Sequence, residues 1–244
     1  VVNGGARPAC KLGVLAFGDS ITNGGGELQW GVALQSWALW VARALGLPFT
    51  THAFDGARAV DVVHQQIPAF LERTAHPDGR YELGCLYVGV NDVRAPDWDP
   101  ADYEAQFRTA LSFLGQRCDH VLTVAAPHDL ARPRAGRKVR QMNEVVERVA
   151  AERGALVLDL SEFRGRNVMM ADHVHPTAFG QIAIAERALA VLASAGVPVR
   201  VRPRSLISYE TTWWGRLRGD ATYTYRHAKE STQALWLWVR PVTL

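Results

Sequence analysis

Short apolar runs, each broken by Gly, Asp, Asn or Pro, alternate along the chain with longer stretches in which apolar positions recur at helical spacing. Residues 14–17, 49–54, 83–88, 121–126 and 156–160 are the short runs and predict strands. Residues 31–45, the segment carrying Val60, Val63, Ile67 and Phe70, residues 102–114 and residues 139–151 predict helices between them. Gly46 and Pro48 stop the first helix, and Pro68 is placed to bend or end the second. Residues 178–195 form a last helix, stopped by Gly196 and Pro198. Nearly continuous apolar strands need helices on both faces, so the pattern predicts an α/β fold, a three-layer α/β/α sandwich around a parallel sheet. Ligands bind such sheets beyond the carboxyl ends of the strands. Ser20, Gly56 and Asn91 each follow a predicted strand at that end, and Gly24-Gly25-Gly26 reads as a flexible stretch beside it.

Beyond Pro198 the pattern changes, which divides the chain into a main domain, residues 1–198, and a basic, Trp-rich extension, residues 199–244. Four of the eight tryptophans, Trp213, Trp214, Trp236 and Trp238, crowd that extension. Aromatic area of this kind is seldom left in water, so the extension is expected to pack on the core or on another subunit. A membrane-surface or substrate-covering element is the alternative. Of the formal net charge of +3, residues 196–244 supply eight Arg/Lys against three Asp/Glu, leaving 19 against 21 in the rest. A near-neutral main domain lacks the basic face that displaces counterions from phosphates, so nucleic acid is not an expected partner.

With 244 residues, 48% of them apolar, the chain can bury a core without metals or disulfides. Cys10, Cys85 and Cys118 are odd in number and none sits in a CxxC pair, so neither a disulfide framework nor a zinc knuckle is expected. That usage fits a reducing compartment. No run approaches the roughly 18 uninterrupted apolar residues of a membrane span. A cytoplasmic location is the resulting expectation.

Three runs carry chemistry: Phe17-Gly18-Asp19-Ser20, Gly89-Val90-Asn91-Asp92 and Asp172-His173-Val174-His175-Pro176. A serine hydroxyl is protonated at neutral pH and needs a base and oxyanion donors before it can act as a nucleophile. Asp172 and His175, three apart, lie on one side of a backbone turn, so the carboxylate can accept from one imidazole nitrogen while the other faces Ser20. Asp19 is read as tying down the Ser20 loop through backbone hydrogen bonds, and Asp92 as a loop-stabilising carboxylate. His173 with His175 has no third ligand at a matching spacing, so no metal is expected. Gly24 to Gly26 lacks the Lys-Ser/Thr of a P-loop and the spacing of a dinucleotide turn, and no cofactor is expected.

These blocks resemble those of the SGNH, or GDSL, hydrolase family of esterases and lipases. The resemblance covers roughly residues 11–195 and rests on Phe-Gly-Asp-Ser-Ile-Thr at 17–22, Asp-Gly-Ala-Arg at 55–58, Gly-Val-Asn-Asp at 89–92 and Asp-His-Val-His-Pro at 172–176. The stretch Gln66-Ile67-Pro68 is similar to bacterial members as well. It implies Ser20 as nucleophile, His175 as base and Asp172 as its orienter. It further implies an oxyanion hole made by the N–H of Ser20, the N–H of Gly56 and the side-chain amide of Asn91. Many members carry Asn a few residues before that glycine, whereas Thr50-Thr51-His52-Ala53 stands here. The Gly-x-Ser-x-Gly elbow of α/β-hydrolases is absent. The expected function is hydrolysis of a carboxylic ester, as esterase, lipase or deacetylase, on a small-molecule acyl ester. Acyl transfer through the same residues is the alternative, and a non-catalytic binding module a third reading.

Overall fold

A computed structural model describes residues 12–75, 79–131, 133–209 and 212–239, without the side chains of Glu230 and of residues 233–239. Five parallel strands form one sheet in the order β2-β1-β3-β4-β5: β1 Val14–Gly18, β2 Phe49–Thr51, β3 Tyr81–Tyr87, β4 Cys118–Ala125 and β5 Leu156–Asp159. All five residues of β1 are buried, as a strand covered on both faces requires. The order reverses between β1 and β3, and these two strands end level, with Gly18 opposite Tyr87. A crevice opens at such a reversal.

The helices are α1 Ser20–Asn23, α2 Trp37–Leu45, α3 Ala59–Asp61, α4 Ile67–Arg73, α5 Pro100–Arg117, α6 Arg137–Arg153, α7 Ala178–Ser194 and α8 Trp213–Val239. A π-helical turn, Val62–Gln66, joins α3 to α4, and a 3₁₀ turn, Pro203–Leu206, precedes α8. Helix α2 packs on α7, while α5 packs on α6 and on α3, giving a layer on each side of the sheet. The three-layer α/β/α fold expected from the sequence is the one observed.

Local chemistry sets the bounds. Helix α2 starts six residues later than predicted because the Ser36 hydroxyl caps it, accepting from the Ala38 N–H at 3.2 Å. Strand β2 is shorter than predicted, since as an edge strand it pairs with β1 only through Phe49, Thr50 and Thr51. The π turn lies immediately before Pro68, where an α-helical ladder would demand a donor that proline lacks. Pro68 therefore does not end the segment, which runs on to Arg73. Cys85 and Cys118 are buried free thiols, and Cys10 lies outside the described residues.

Candidate active site

The buried end of β1 delivers Ser20. Asp19 leaves the strand in extended conformation and caps α1, its Oδ1 accepting from the Ile21 N–H at 3.0 Å, so Ser20 opens the helix. Two glutamines hold this corner. Gln66 grips the backbone of Gly18 on both sides, Oε1 accepting from its N–H at 3.0 Å and Nε2 donating to its carbonyl at 2.7 Å. Gln181, on α7, donates to the carbonyls of Ile21 at 3.0 Å and Gly25 at 3.1 Å and accepts from the Trp37 N–H at 2.8 Å. Both side chains are buried. Sequence reasoning assigned neither of them a role. The available signal was a polar residue on an apolar helical stripe: Gln66 lies four residues from both Val62 and Phe70, and Gln181 sits among Ala178, Ile182 and Ala185.

Gly24 to Gly26 corrects an expectation. The stretch is a close approach of backbones, not a flexible linker. A Cβ on Gly25 would lie 2.8 Å from the Ser20 carbonyl oxygen, and one on Gly26 would collide with the Pro176 carbonyl. The glycines let the loop after α1 press directly against the segment that carries His175.

That segment reaches Ser20. Ser20 Oγ donates to His175 Nε2 at 2.9 Å, and His175 Nδ1 donates to Asp172 Oδ2 at 2.7 Å. The other Asp172 oxygen accepts from the backbone N–H groups of Val174 at 2.9 Å and His175 at 3.1 Å, which fixes the carboxylate. Burial works to raise the Asp172 pKa, but the His175 hydrogen bond and the two backbone donors outweigh it and hold the carboxyl below its ordinary range. The same bond to Asp172 raises His175 above the ordinary histidine value, against the pull of burial. The structure thus brings Ser20, His175 and Asp172 into one hydrogen-bonded chain.

The remaining expected residues lie on the neighbouring strand ends. Asn91 follows β3, and its Nδ2 donates to the Ala57 carbonyl at 3.0 Å, which ties it to the loop of Gly56, and its second N–H meets no acceptor among the described residues. Asp92 accepts from the Ala59 N–H at 3.1 and 3.2 Å, a second tie between the two loops. The N–H groups of Ser20 and Gly56 meet no protein acceptor among the described residues. His173 is turned away, its Nδ1 lying 2.8 Å from Asp129 Oδ2. Among the described residues no group of His, Cys, Asp or Glu is arranged to hold a metal ion. Chemically, the arrangement offers an activated hydroxyl, a proton acceptor and N–H donors at one sheet edge.

The profile of the GDSL-like Lipase/Acylhydrolase family matches residues 16–182. The chain belongs to this family. As a GDSL-like acylhydrolase it is a carboxylic ester hydrolase. No curated protein sequence matches the chain. Solved structures that resemble it include an acetylxylan esterase from Geobacillus stearothermophilus, at 21% identity and a TM-score of 0.56, covering 75% of this chain and 96% of that one. A member of the lipolytic G-D-S-L family from Veillonella parvula matches at 22% identity and a TM-score of 0.59, covering 74% and 97%. An α/β hydrolase from the metagenome of Lake Arreo, Spain, matches at 18% identity and a TM-score of 0.57, covering 76% and 96%. At these identities the resemblance is one of fold. No helix among the described residues is long and apolar enough to cross a membrane.

Proposed function

We propose that this GDSL-like acylhydrolase cleaves its ester through an acyl-enzyme on Ser20. The observation that carries the reading is the unbroken chain from Ser20 Oγ through His175 to Asp172. Ser20 Oγ attacks the ester carbonyl as His175 Nε2 takes its proton, and Asp172 stabilises the imidazolium without taking the proton itself. The oxyanion is held by the N–H groups of Ser20 and Gly56 and the free amide hydrogen of Asn91. Protonated His175 then returns its proton to the departing alkoxide oxygen. Water, deprotonated by His175, attacks the acyl carbon and releases the carboxylic acid and Ser20. The structures of the Geobacillus acetylxylan esterase include catalytic mutants of a serine and of an aspartate, which supports the same division of labour here and makes short-chain acyl esters the first substrates to try. In this reading residues 1–198 hold the hydrolytic unit, and residues 199–244 are an extension of it.

The test is a series of p-nitrophenyl esters of increasing acyl length with wild type and Ser20→Ala, together with covalent labelling by a fluorophosphonate. Hydrolysis and labelling that both vanish in Ser20→Ala are expected. Hydrolysis that survives the substitution overturns the assignment of the nucleophile. Adding a competing alcohol and analysing the products separates hydrolysis from acyl transfer.

A further inference from the structure

Helix α8 lies on the enzyme with its polar side inward. Asp220 pairs with Arg166 at 2.9 Å, Arg226 with Glu27, and the His227 ring lies 6.1 Å from that of His173. The opposite side carries Trp214, Leu217, Ala221, Tyr225 and Ala228, spaced three or four apart, so they form one stripe along the helix. That stripe faces outward: Trp214 is 71% exposed, Leu217 48% and Tyr225 70%, and neighbouring Trp213 is 64% exposed. An amphipathic helix normally buries its apolar side, and this one leaves it uncovered. Arg218 and Lys229, four residues after Trp214 and Tyr225, flank the stripe, and neither has a carboxylate partner among the described residues. The family match ends at residue 182, well before α8, so the hydrolase fold itself does not account for this face.

We propose that the outer face of α8 docks the enzyme on an anionic lipid surface. Tryptophan and tyrosine suit the boundary between headgroups and acyl chains, and the two flanking cations suit a negative leaflet. A second copy of the chain laid on the stripe would set cation against cation, since Asp220 is already committed to Arg166. The inward contacts hold the helix beside the catalytic edge: Glu27 follows Gly26, which abuts Pro176, and His173 is two residues from His175. Docking through α8 therefore brings the esterase site close to the lipid.

The experiment is co-sedimentation of the full chain with vesicles of phosphatidylcholine alone and of phosphatidylcholine mixed with phosphatidylglycerol. It uses wild type, the pair Trp214→Ser with Tyr225→Ser, and the pair Arg218→Gln with Lys229→Gln. Wild type is expected to sediment with the anionic vesicles and to be released by salt. The apolar-face pair should abolish binding, and the charge pair should weaken it by roughly 30-fold. Hydrolysis of p-nitrophenyl acetate in solution and circular dichroism should be unchanged in both variants, which separates loss of docking from loss of fold. The proposal fails if wild type ignores anionic vesicles or if binding is indifferent to the substitutions. It fails equally if wild type is a dimer that the apolar-face pair turns into a monomer.

Discussion

Substituting Asp19 by asparagine tests how the corner that carries Ser20 is built. Asp19 is fully buried, one of its oxygens caps α1, and the other, Oδ2, has no hydrogen-bond partner among the described residues. Burial, the dominant cause, pushes its pKa from 3.8 up to about 7, against the backbone hydrogen bond from Ile21 and the attraction of His175. The folded protein therefore keeps a proton that the unfolded chain gives up. The stabilisation this provides is complete below about pH 4, declines as pH rises, and is gone above about pH 7. A difference of roughly 3 units at 1.36 kcal/mol each gives about 4 kcal/mol, an upper bound because a buried site relaxes around a charge. The Asp19→Asn side chain keeps the cap acceptor and loses the titration. Urea unfolding of wild type and Asp19→Asn between pH 4 and 8 should show the variant gaining on wild type up to neutral pH and then running parallel. Other titrating groups, Asp92 among them with its pKa raised to about 6, largely cancel in this difference. Two parallel stability curves across the whole range would refute the reasoning.

Three further outcomes are expected. Asn91→Ala, which removes a proposed oxyanion donor, should lower kcat/KM about a hundredfold, on the order of 3 kcal/mol, while the lost hydrogen bond to the Ala57 carbonyl costs only about 1 kcal/mol by urea unfolding. Asp172→Asn should cut kcat by on the order of 10⁴-fold and move the acid limb of the pH–rate profile to lower pH, since Asp172 is the main cause of the raised His175 pKa; an unmoved limb in stopped assays across pH would count against it. Gln66→Leu strips both Gly18 backbone groups of their partners and should cost about 2 to 4 kcal/mol by urea unfolding, where a loss under about 0.5 kcal/mol would show the clamp to be dispensable.

The parallel sheet was legible because its central strands are buried on both faces, which writes them as plain apolar runs: the span 14–17 became Val14–Gly18 and 83–88 became Tyr81–Tyr87. Ser20, His175 and Asp172, the proposed nucleophile, base and orienter, were legible because the chemistry proposed for them fixes residue type and local spacing. Gln66 and Gln181 were not, since their work is done on backbone atoms far away in sequence, and a buried polar residue on an apolar stripe does not say which backbone it serves. Gly24 to Gly26 was misread for the same reason: only the fold brings Pro176 against Gly26, and without it three glycines look loose. Helix α8 was harder to read: Trp214, Leu217, Ala221 and Tyr225 do recur at helical spacing, but Gly215, Gly219, Thr222 and Thr224 between them are weak helix formers, and the rule that periodicity marks a buried face points the wrong way for a stripe that is exposed.

The hydroxyl and the imidazole that meet at Ser20 and His175 are 155 residues apart. Between them lie four of the five strands, so the proton path cannot close until nearly the whole sheet is assembled. Closing so long a loop delays the event relative to helix formation. In refolding from denaturant, turnover is thus expected to return after circular dichroism has recovered, and a single cut in any loop of the span that lets the halves drift apart silences the enzyme while leaving much of its secondary structure in place.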